Sequence, residues 1–148
     1  MSYFRRKPIG MHWIVRNTLA FLAGIIIGWG VNMGLIMLGM SIVPPPARAD
    51  TTTPEGLEAA LPLMTGRHFV FPFLAHALGT FFGALTAALL AARHKMNIAL
   101  GMGIFFLAGG LVAAFLIPAP SWFIAVDLLF AYAPMAYLAG MIVRPRKV

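Results

Sequence analysis

The sequence contains no cysteine, so it offers neither a disulfide bond nor a thiolate ligand for a metal ion. Charge is also scarce, because 10% of the residues are Asp, Glu, Lys or Arg, whereas soluble domains average about 25%. Three catalytic signatures are missing as well: the phosphate-binding glycine loop, the H-E-x-x-H zinc motif and the G-x-S-x-G nucleophile motif. The sequence therefore predicts a non-enzymatic protein without a cofactor or metal, and its composition excludes a soluble globule.

Long apolar runs take the place of the missing charge. Hydrophobic residues make up 61% of the chain, and the mean hydropathy is +0.89. A helix needs about 20 predominantly apolar residues to cross the hydrocarbon core of a bilayer. Four runs in the chain reach this length. The sequence therefore predicts an all-α integral membrane protein, with four transmembrane helices in an up-down bundle. The predicted spans and the one long loop lie at 14–43, 69–92, 96–117, 122–143 and 44–68.

The basic residues flank these runs instead of forming one cluster, which argues against a nucleic-acid surface despite a pI of about 10.9. Of the 11 Lys and Arg residues, Arg48 and Arg67 fall in the loops on one side of the predicted bundle. Short segments rich in Lys and Arg favour the cytoplasmic side. We therefore expect a multi-pass protein of a bacterial inner membrane, with both termini cytoplasmic and no nucleic-acid partner. The nine basic residues on the cytoplasmic side are Arg5, Arg6, Lys7, Arg16, Arg93, Lys95, Arg144, Arg146 and Lys147.

The first apolar run resembles a secretory signal peptide, because basic residues precede it and Ala47-Arg48-Ala49 follows it. The apolar region of a signal peptide is about 7 to 15 residues long. The run from Asn17 to Val43 is longer than that. We therefore expect the first span to be a permanent transmembrane helix.

The loop at 44–68 contains a helix start at Thr53-Pro54-Glu55. Thr can cap a helix, Pro fits its first position, and Glu suits the positive end of its dipole. The following apolar residues share one face of the predicted helix. We expect a short helix that rests on the outer membrane surface through Leu57, Ala60, Leu61 and Met64.

Glycines recur at helical spacing in the first two spans. Lipid tails give apolar side chains no reason to associate, so small residues matter because they let helix backbones approach closely. We expect these glycines to pack helices together, within one chain or between copies, with a pore lining as the alternative. They are Gly24, Gly28, Gly30, Gly34, Gly79 and Gly83.

Asp127 is the only acidic residue inside any predicted span. An ionisable group at membrane depth is expensive and usually faces a partner inside the bundle. At about 1.5 Å per residue, His76 lies about 10 Å into the second span and Asp127 about 8 Å into the fourth. Both spans enter from the outer side, so the sequence predicts a buried His76–Asp127 pair. The pair is either a structural bridge or a site that binds a proton or ligand.

Further polar residues and one proline fall near the same depth. Pro134 lacks the N–H that would bond to the Phe130 carbonyl, which predicts a kink in the fourth helix. Asn32, Thr80 and Tyr132 lie at mid-membrane positions. A hydrogen bond across helices explains each of them without invoking transport.

These observations favour a structural or accessory membrane protein that packs through its Gly and Ala faces. Its partners would be the lipid bilayer and either copies of itself or the other subunits of a larger membrane complex. The alternative is a small ion- or proton-coupled transporter or channel that uses His76 and Asp127. Water separates the two hypotheses: transport requires a polar cavity at the layer of this pair, whereas an accessory role predicts a dry, closed bundle.

Overall fold

The computed structural model describes residues 12–46, 51 and 53–143 of the 148-residue chain. Within these residues the regular structure is entirely helical. Short 3₁₀ turns at Leu61–Leu63 and Gly66–Phe69 lie between the second and third α-helices. In the described part of the chain the α-helices are α1 (Trp13–Ile42), α2 (Pro54–Ala60), α3 (Val70–Leu90), α4 (Lys95–Leu116), α5 (Ser121–Phe130) and α6 (Ala133–Val143).

Four helical segments among the described residues are long and apolar enough to cross a membrane: Trp13–Ile42, Gly66–Leu90, Lys95–Leu116 and Ser121–Val143. Their bounds lie within a few residues of the spans predicted from the sequence. The predicted fold class is confirmed at this level: the protein is all-helical, with four candidate spans in a helical bundle. The predicted Ala47-Arg48-Ala49 segment lies outside the described residues.

Helix α3 is the centre of the bundle. It packs against α1, α4 and α6, whereas α1 packs mainly on α3 and only lightly on α4. As a result, the span containing α3 is the most buried and α1 is the least buried. The core between α3, α4 and α6 is built almost entirely of alanine, joined by the buried Met102: Ala84, Ala87, Ala88, Ala99, Ala136 and Ala139.

Glycines bring the backbones of α1 and α3 into contact. A Cβ atom added at Gly24 would lie 2.6 Å from the carbonyl oxygen of Gly83, and one at Gly83 would lie 2.8 Å from the carbonyl oxygen of Gly24. One helical turn further along α1, Gly28 and Gly79 make the same reciprocal approach, at 2.7 and 2.9 Å. These separations are too short for any side chain, so only glycine fits at these four positions.

The other two predicted packing glycines lie differently. A Cβ atom at Gly30 or Gly34 would meet no described atom within 4 Å. They lie away from α3 because residues 30 and 34 occupy a different face of α1 from residues 24 and 28. These two glycines therefore take no part in packing among the described residues of one chain.

The fourth span is interrupted. Helix α5 ends at Phe130 and α6 begins at Ala133, with Ala131 and Tyr132 between them. Pro134 is the second residue of α6, and its missing N–H removes the hydrogen bond that Phe130 would accept in a continuous helix. The regular helical hydrogen bonds resume where the Ala136 N–H donates to the Tyr132 carbonyl at 2.9 Å. The proline thus accounts for the break.

The loop helix α2 begins as its sequence indicates. Thr53 is the N-cap, and its hydroxyl accepts a hydrogen bond from the Gly56 N–H at 3.2 Å. The apolar face of this segment, however, packs on protein: Leu61 is buried against Phe69 and Phe123, with Leu57, Met64 and Phe73 around them. We call these six residues the loop cluster. It covers one end of the bundle because α2 offers its apolar face to aromatic residues at the starts of α3 and α5.

The opposite end is fastened by Asn17, a contact that the sequence did not indicate. Its side-chain oxygen accepts a hydrogen bond from the Ala92 N–H at 2.8 Å, and its Nδ2 donates to the Arg93 carbonyl at 3.1 Å. Beside it, Arg16 Nε donates to the Leu90 carbonyl at 2.9 Å. Two side chains of α1 therefore satisfy the Leu90 carbonyl, which the end of α3 leaves without a helical partner, and two backbone groups of the turn that follows α3.

We expect Gly24→Val to lower the free energy of unfolding by about 1–3 kcal/mol, because its side chain would overfill the contact with the Gly83 backbone. The measurement is reversible unfolding of the monomer in mixed micelles, followed by tryptophan fluorescence. Gly34→Val is the matched control and should be close to neutral, since its Cβ atom meets no described neighbour. Equal losses for the two variants would contradict the backbone contact.

Candidate functional site

The structure brings His76 of α3 together with Asp127 of α5. The Nδ1 atom of His76 lies 2.9 Å from both Oδ1 and Oδ2 of Asp127. Asp127 is 5% exposed, whereas the His76 side chain is 27% exposed. The two residues meet because α3 and α5 both run away from the loop cluster and both groups lie less than two turns into their helices. The carboxylate is therefore enclosed, while the imidazole keeps one accessible side.

Tyr132 completes a hydrogen-bonded triad. Its hydroxyl donates to Oδ2 of Asp127 at 2.9 Å, and its ring stacks beside the His76 ring with centroids 5.9 Å apart. In a continuous helix, residues five apart point about 140° away from each other. The interruption between α5 and α6 is what lets Tyr132 reach back to Asp127. A break caused by one proline thus supplies the second donor for the buried carboxylate.

The triad fixes the chemistry of the imidazole. An ionised carboxylate only accepts hydrogen bonds, so it accepts from the Tyr132 hydroxyl and from a protonated His76 Nδ1. In the tautomer that donates Nδ1–H to Asp127, the second ring nitrogen, Nε2, is an acceptor outside the pair. Among the described residues, Nε2 of His76 makes no hydrogen bond. The site therefore presents one imidazole nitrogen, Nε2, without a partner among the described residues.

A cavity of about 270 Å³ lies beside the triad, between α1, α3 and α4. His76 and Tyr132 line one part of it, and Asn32 and Thr80 line another. Thr80 is 1% exposed, and its Oγ1 has no hydrogen-bond partner in the described part of the chain. Trp29 also lines the cavity and is 63% exposed.

The polar residues singled out in the sequence thus occupy one region. His76, Asn32, Thr80 and Tyr132 line a single cavity, and Asp127 bonds to two of them. The sequence did not indicate that Tyr132 bonds to Asp127, because their spacing places them on different sides of a straight helix. The signal was Pro134, whose effect on the intervening turn brings the two side chains together.

Glycines form another part of the cavity wall: Gly79 was among the glycines predicted to pack helices or line a pore, whereas Gly109 and Gly110 were not singled out in the sequence. Gly79, Gly109 and Gly110 all line it. A Cβ atom at Gly110 would overlap the Tyr132 hydroxyl, whereas one at Gly109 would meet no described atom within 4 Å. Gly110 therefore makes room for the Tyr132 ring, and Gly109 leaves the cavity itself unfilled.

No protein-family model matches the chain, and neither a curated protein nor a solved structure shows significant similarity to it. A helical membrane bundle hosts many unrelated activities. The geometry and chemistry of the triad and its cavity therefore indicate the function.

Exchanging the two partners tests the pair. We expect His76→Asp alone and Asp127→His alone to lower the free energy of unfolding by about 1–3 kcal/mol each, because each leaves buried polar groups without complementary partners. The double exchange should recover most of this loss, except for roughly 1 kcal/mol from the Tyr132 hydrogen bond. Unfolding in mixed micelles supplies the numbers. Additive losses in the double variant would show that the two side chains do not interact.

Proposed function

We propose that the protein is a small proton-coupled transporter in which His76 and Asp127 bind and release the proton. The observation that carries this proposal is the ionisable pair within the membrane-spanning helices, bordered by a cavity that reaches the imidazole. Burying ionisable groups at membrane depth is costly, and such groups mark proton relays and substrate pathways. A dry, closed accessory bundle does not require a histidine nitrogen that can exchange a proton, such as His76 Nε2, beside a cavity.

Protonation changes the charge that a ligand meets in this cavity. With a proton on each ring nitrogen, His76 is a cation beside the Asp127 carboxylate, and the pair is neutral overall. Loss of the Nε2 proton leaves the pair with a net negative charge. Ligand binding and proton binding at this site therefore influence each other, which is the requirement for coupled transport.

The interrupted fourth span supports a moving part. Many transporters form their binding sites at discontinuous helices, and one part of the bundle moves against another around the site. Here the interruption separates Asp127, on α5, from Pro134, on α6, and Tyr132 lies between the two halves. A shift of α6 against α5 would lengthen the Tyr132–Asp127 hydrogen bond and change the access to His76.

A specific observation also favours the accessory role as a second candidate. Helix α1 is the least buried span, and Gly30 and Gly34 lie four residues apart on a face without described neighbours. Pairs of glycines at this spacing let transmembrane helices of two chains pack closely. A second copy or another subunit would fit this face, and such packing is compatible with transport by the assembled complex.

The orientation proposed for this transporter places both termini in the cytoplasm of a bacterial cell and the loop cluster outside its inner membrane. The support is the distribution of Lys and Arg along the sequence. Because the chain has no cysteine, single cysteines report the sidedness directly. In intact spheroplasts, a membrane-impermeant maleimide should label Thr51→Cys and leave Val148→Cys unlabelled until the cells are lysed. The reverse pattern would overturn the orientation.

Proton flux tests the function. Everted vesicles from bacteria that produce the protein are supplied with the small-molecule fraction of a cell extract. They should dissipate an imposed pH gradient faster than vesicles that lack the protein and receive the same extract. We expect His76→Gln and Asp127→Asn to reduce this excess rate at least about tenfold, since each removes the proton-exchanging pair. A pH-sensitive dye follows the gradient.

Two variants outside the pair serve as controls. His94→Asn removes an imidazole from the α3–α4 turn, and asparagine tolerates the left-handed backbone found there, where φ is 55°. Glu58→Gln removes a carboxylate from α2. Both should retain the wild-type flux. Folded His76 and Asp127 variants with unchanged flux, or the absence of any excess flux, would contradict transport and favour the accessory role.

A further inference from the structure

We infer that the cavity beside His76 binds a neutral, lipid-soluble ring compound that carries hydrogen-bonding oxygens, the chemistry of a quinone headgroup, and that this ligand enters from the bilayer. The inference rests on the proposed function and names the class of its ligand. Three features of the cavity carry it: where the cavity lies, what forms its walls, and which polar atoms lack partners.

The cavity lies within the membrane-spanning part of the protein, because all its lining residues belong to the four candidate spans. Trp29 is near the middle of α1, and a 63% exposed tryptophan at that depth faces lipid. Toward the covered end of the bundle, Phe73 of the loop cluster also packs against the buried group of Ala77, Ala131 and Tyr132. Apolar side chains therefore separate the triad from that end. A ligand dissolved in the bilayer reaches the cavity beside Trp29 without passing this apolar barrier.

The walls suit a flat ring. Aromatic side chains of Trp29, Phe106 and Tyr132 provide faces for stacking, and Gly79 and Gly109 leave backbone surface between them. The volume of about 270 Å³ lies just below the range of about 300–1,000 Å³ typical of drug-sized ligands. A single substituted ring is of the right size.

The polar atoms of the wall match ring oxygens. Thr80 lines the cavity, and its hydroxyl is buried without a partner among the described residues, so a small rotation of the side chain would be needed to bring it to a ligand oxygen. Asn32 contributes an amide, and His76 contributes its unpaired Nε2. Hydroxyl and amide donors bond to carbonyl oxygens, and Nε2 exchanges a hydrogen bond with either a carbonyl or a ring hydroxyl. The Asp127 carboxylate contacts Nδ1 of His76 and does not itself line the cavity; its negative charge disfavours an anionic ligand.

Fluorescence of Trp29 tests the inference. Trp13→Phe with Trp122→Phe leaves Trp29 as the only tryptophan. With one protein copy in each lipid nanodisc, duroquinone should quench this fluorescence along a saturable curve. Gly109→Leu should weaken the apparent affinity at least tenfold, because Gly109 lines the cavity and has room for a side chain. Gly34→Leu, the same change at an open position outside the cavity, should leave the affinity unchanged.

A second pair of variants tests the orphan hydroxyl. Thr80→Val preserves the shape of the side chain and removes its hydroxyl, so we expect an affinity loss of about fivefold, the equivalent of one net hydrogen bond. Thr86→Val makes the same change on α3 outside the cavity and should have no effect. If Gly109→Leu fails to fold, the comparison of Thr80→Val with Thr86→Val still tests the proposed binding site.

Quenching that rises linearly and equally in all variants would show that duroquinone only partitions into the bilayer, and it would overturn the inference. So would saturable quenching by a bromoalkane that duroquinone does not displace, because an acyl chain would then occupy the cavity. The proton-flux measurement separates the two proposals. If the proton flux depends on His76 but duroquinone does not bind, the proposed ligand is wrong and the transport proposal stands. If duroquinone binds but there is no flux, the transport proposal is wrong and the ligand site stands.

Discussion

The structure depends on the requirement that one buried carboxylate be satisfied within a membrane. Asp127 is 5% exposed, and its oxygens accept hydrogen bonds from Tyr132 and lie 2.9 Å from His76 Nδ1. To meet that requirement, α3 and α5 must run in the same direction, and the break after α5 must bring Tyr132 within hydrogen-bonding distance of Asp127. The proline break in the fourth span is therefore part of the site, because a continuous helix would leave the carboxylate with one partner.

The glycine contact between α1 and α3 determines what surrounds this triad. Because the backbones touch at Gly24 and Gly83, α1 is held close to α3 and away from α6, and the cavity lies where α1, α3 and α4 meet. The same arrangement leaves the Gly30 face of α1 open. Close packing on one face thus creates both the cavity wall beside His76 and an unpartnered surface on the opposite side of the helix.

Sequence reasoning predicted the features that membrane chemistry dictates strongly. Apolar length predicted the spans, and the depths of His76 and Asp127 predicted that they lie at one level. It did not separate Gly24 from Gly30, because lipid-facing and protein-facing surfaces of a transmembrane helix are equally apolar. It also did not predict the Tyr132 bond, because the geometry of a proline break cannot be read from helical periodicity. Asn17 was passed over because its backbone partners lie about 75 residues away along the chain.

The central claim is that His76 and Asp127 form a direct hydrogen bond inside the membrane. Solid-state NMR on protein in bilayers, labelled with ¹⁵N-histidine and ¹³C-aspartate, measures the dipolar coupling between His76 Nδ1 and the Asp127 carboxyl carbon. Asp127→Asn in the same labelled background assigns the signal. The account predicts strong dephasing of the His76 Nδ1 resonance by the carboxyl carbon. Absence of dephasing in folded protein would show that the pair does not form, and would contradict the account.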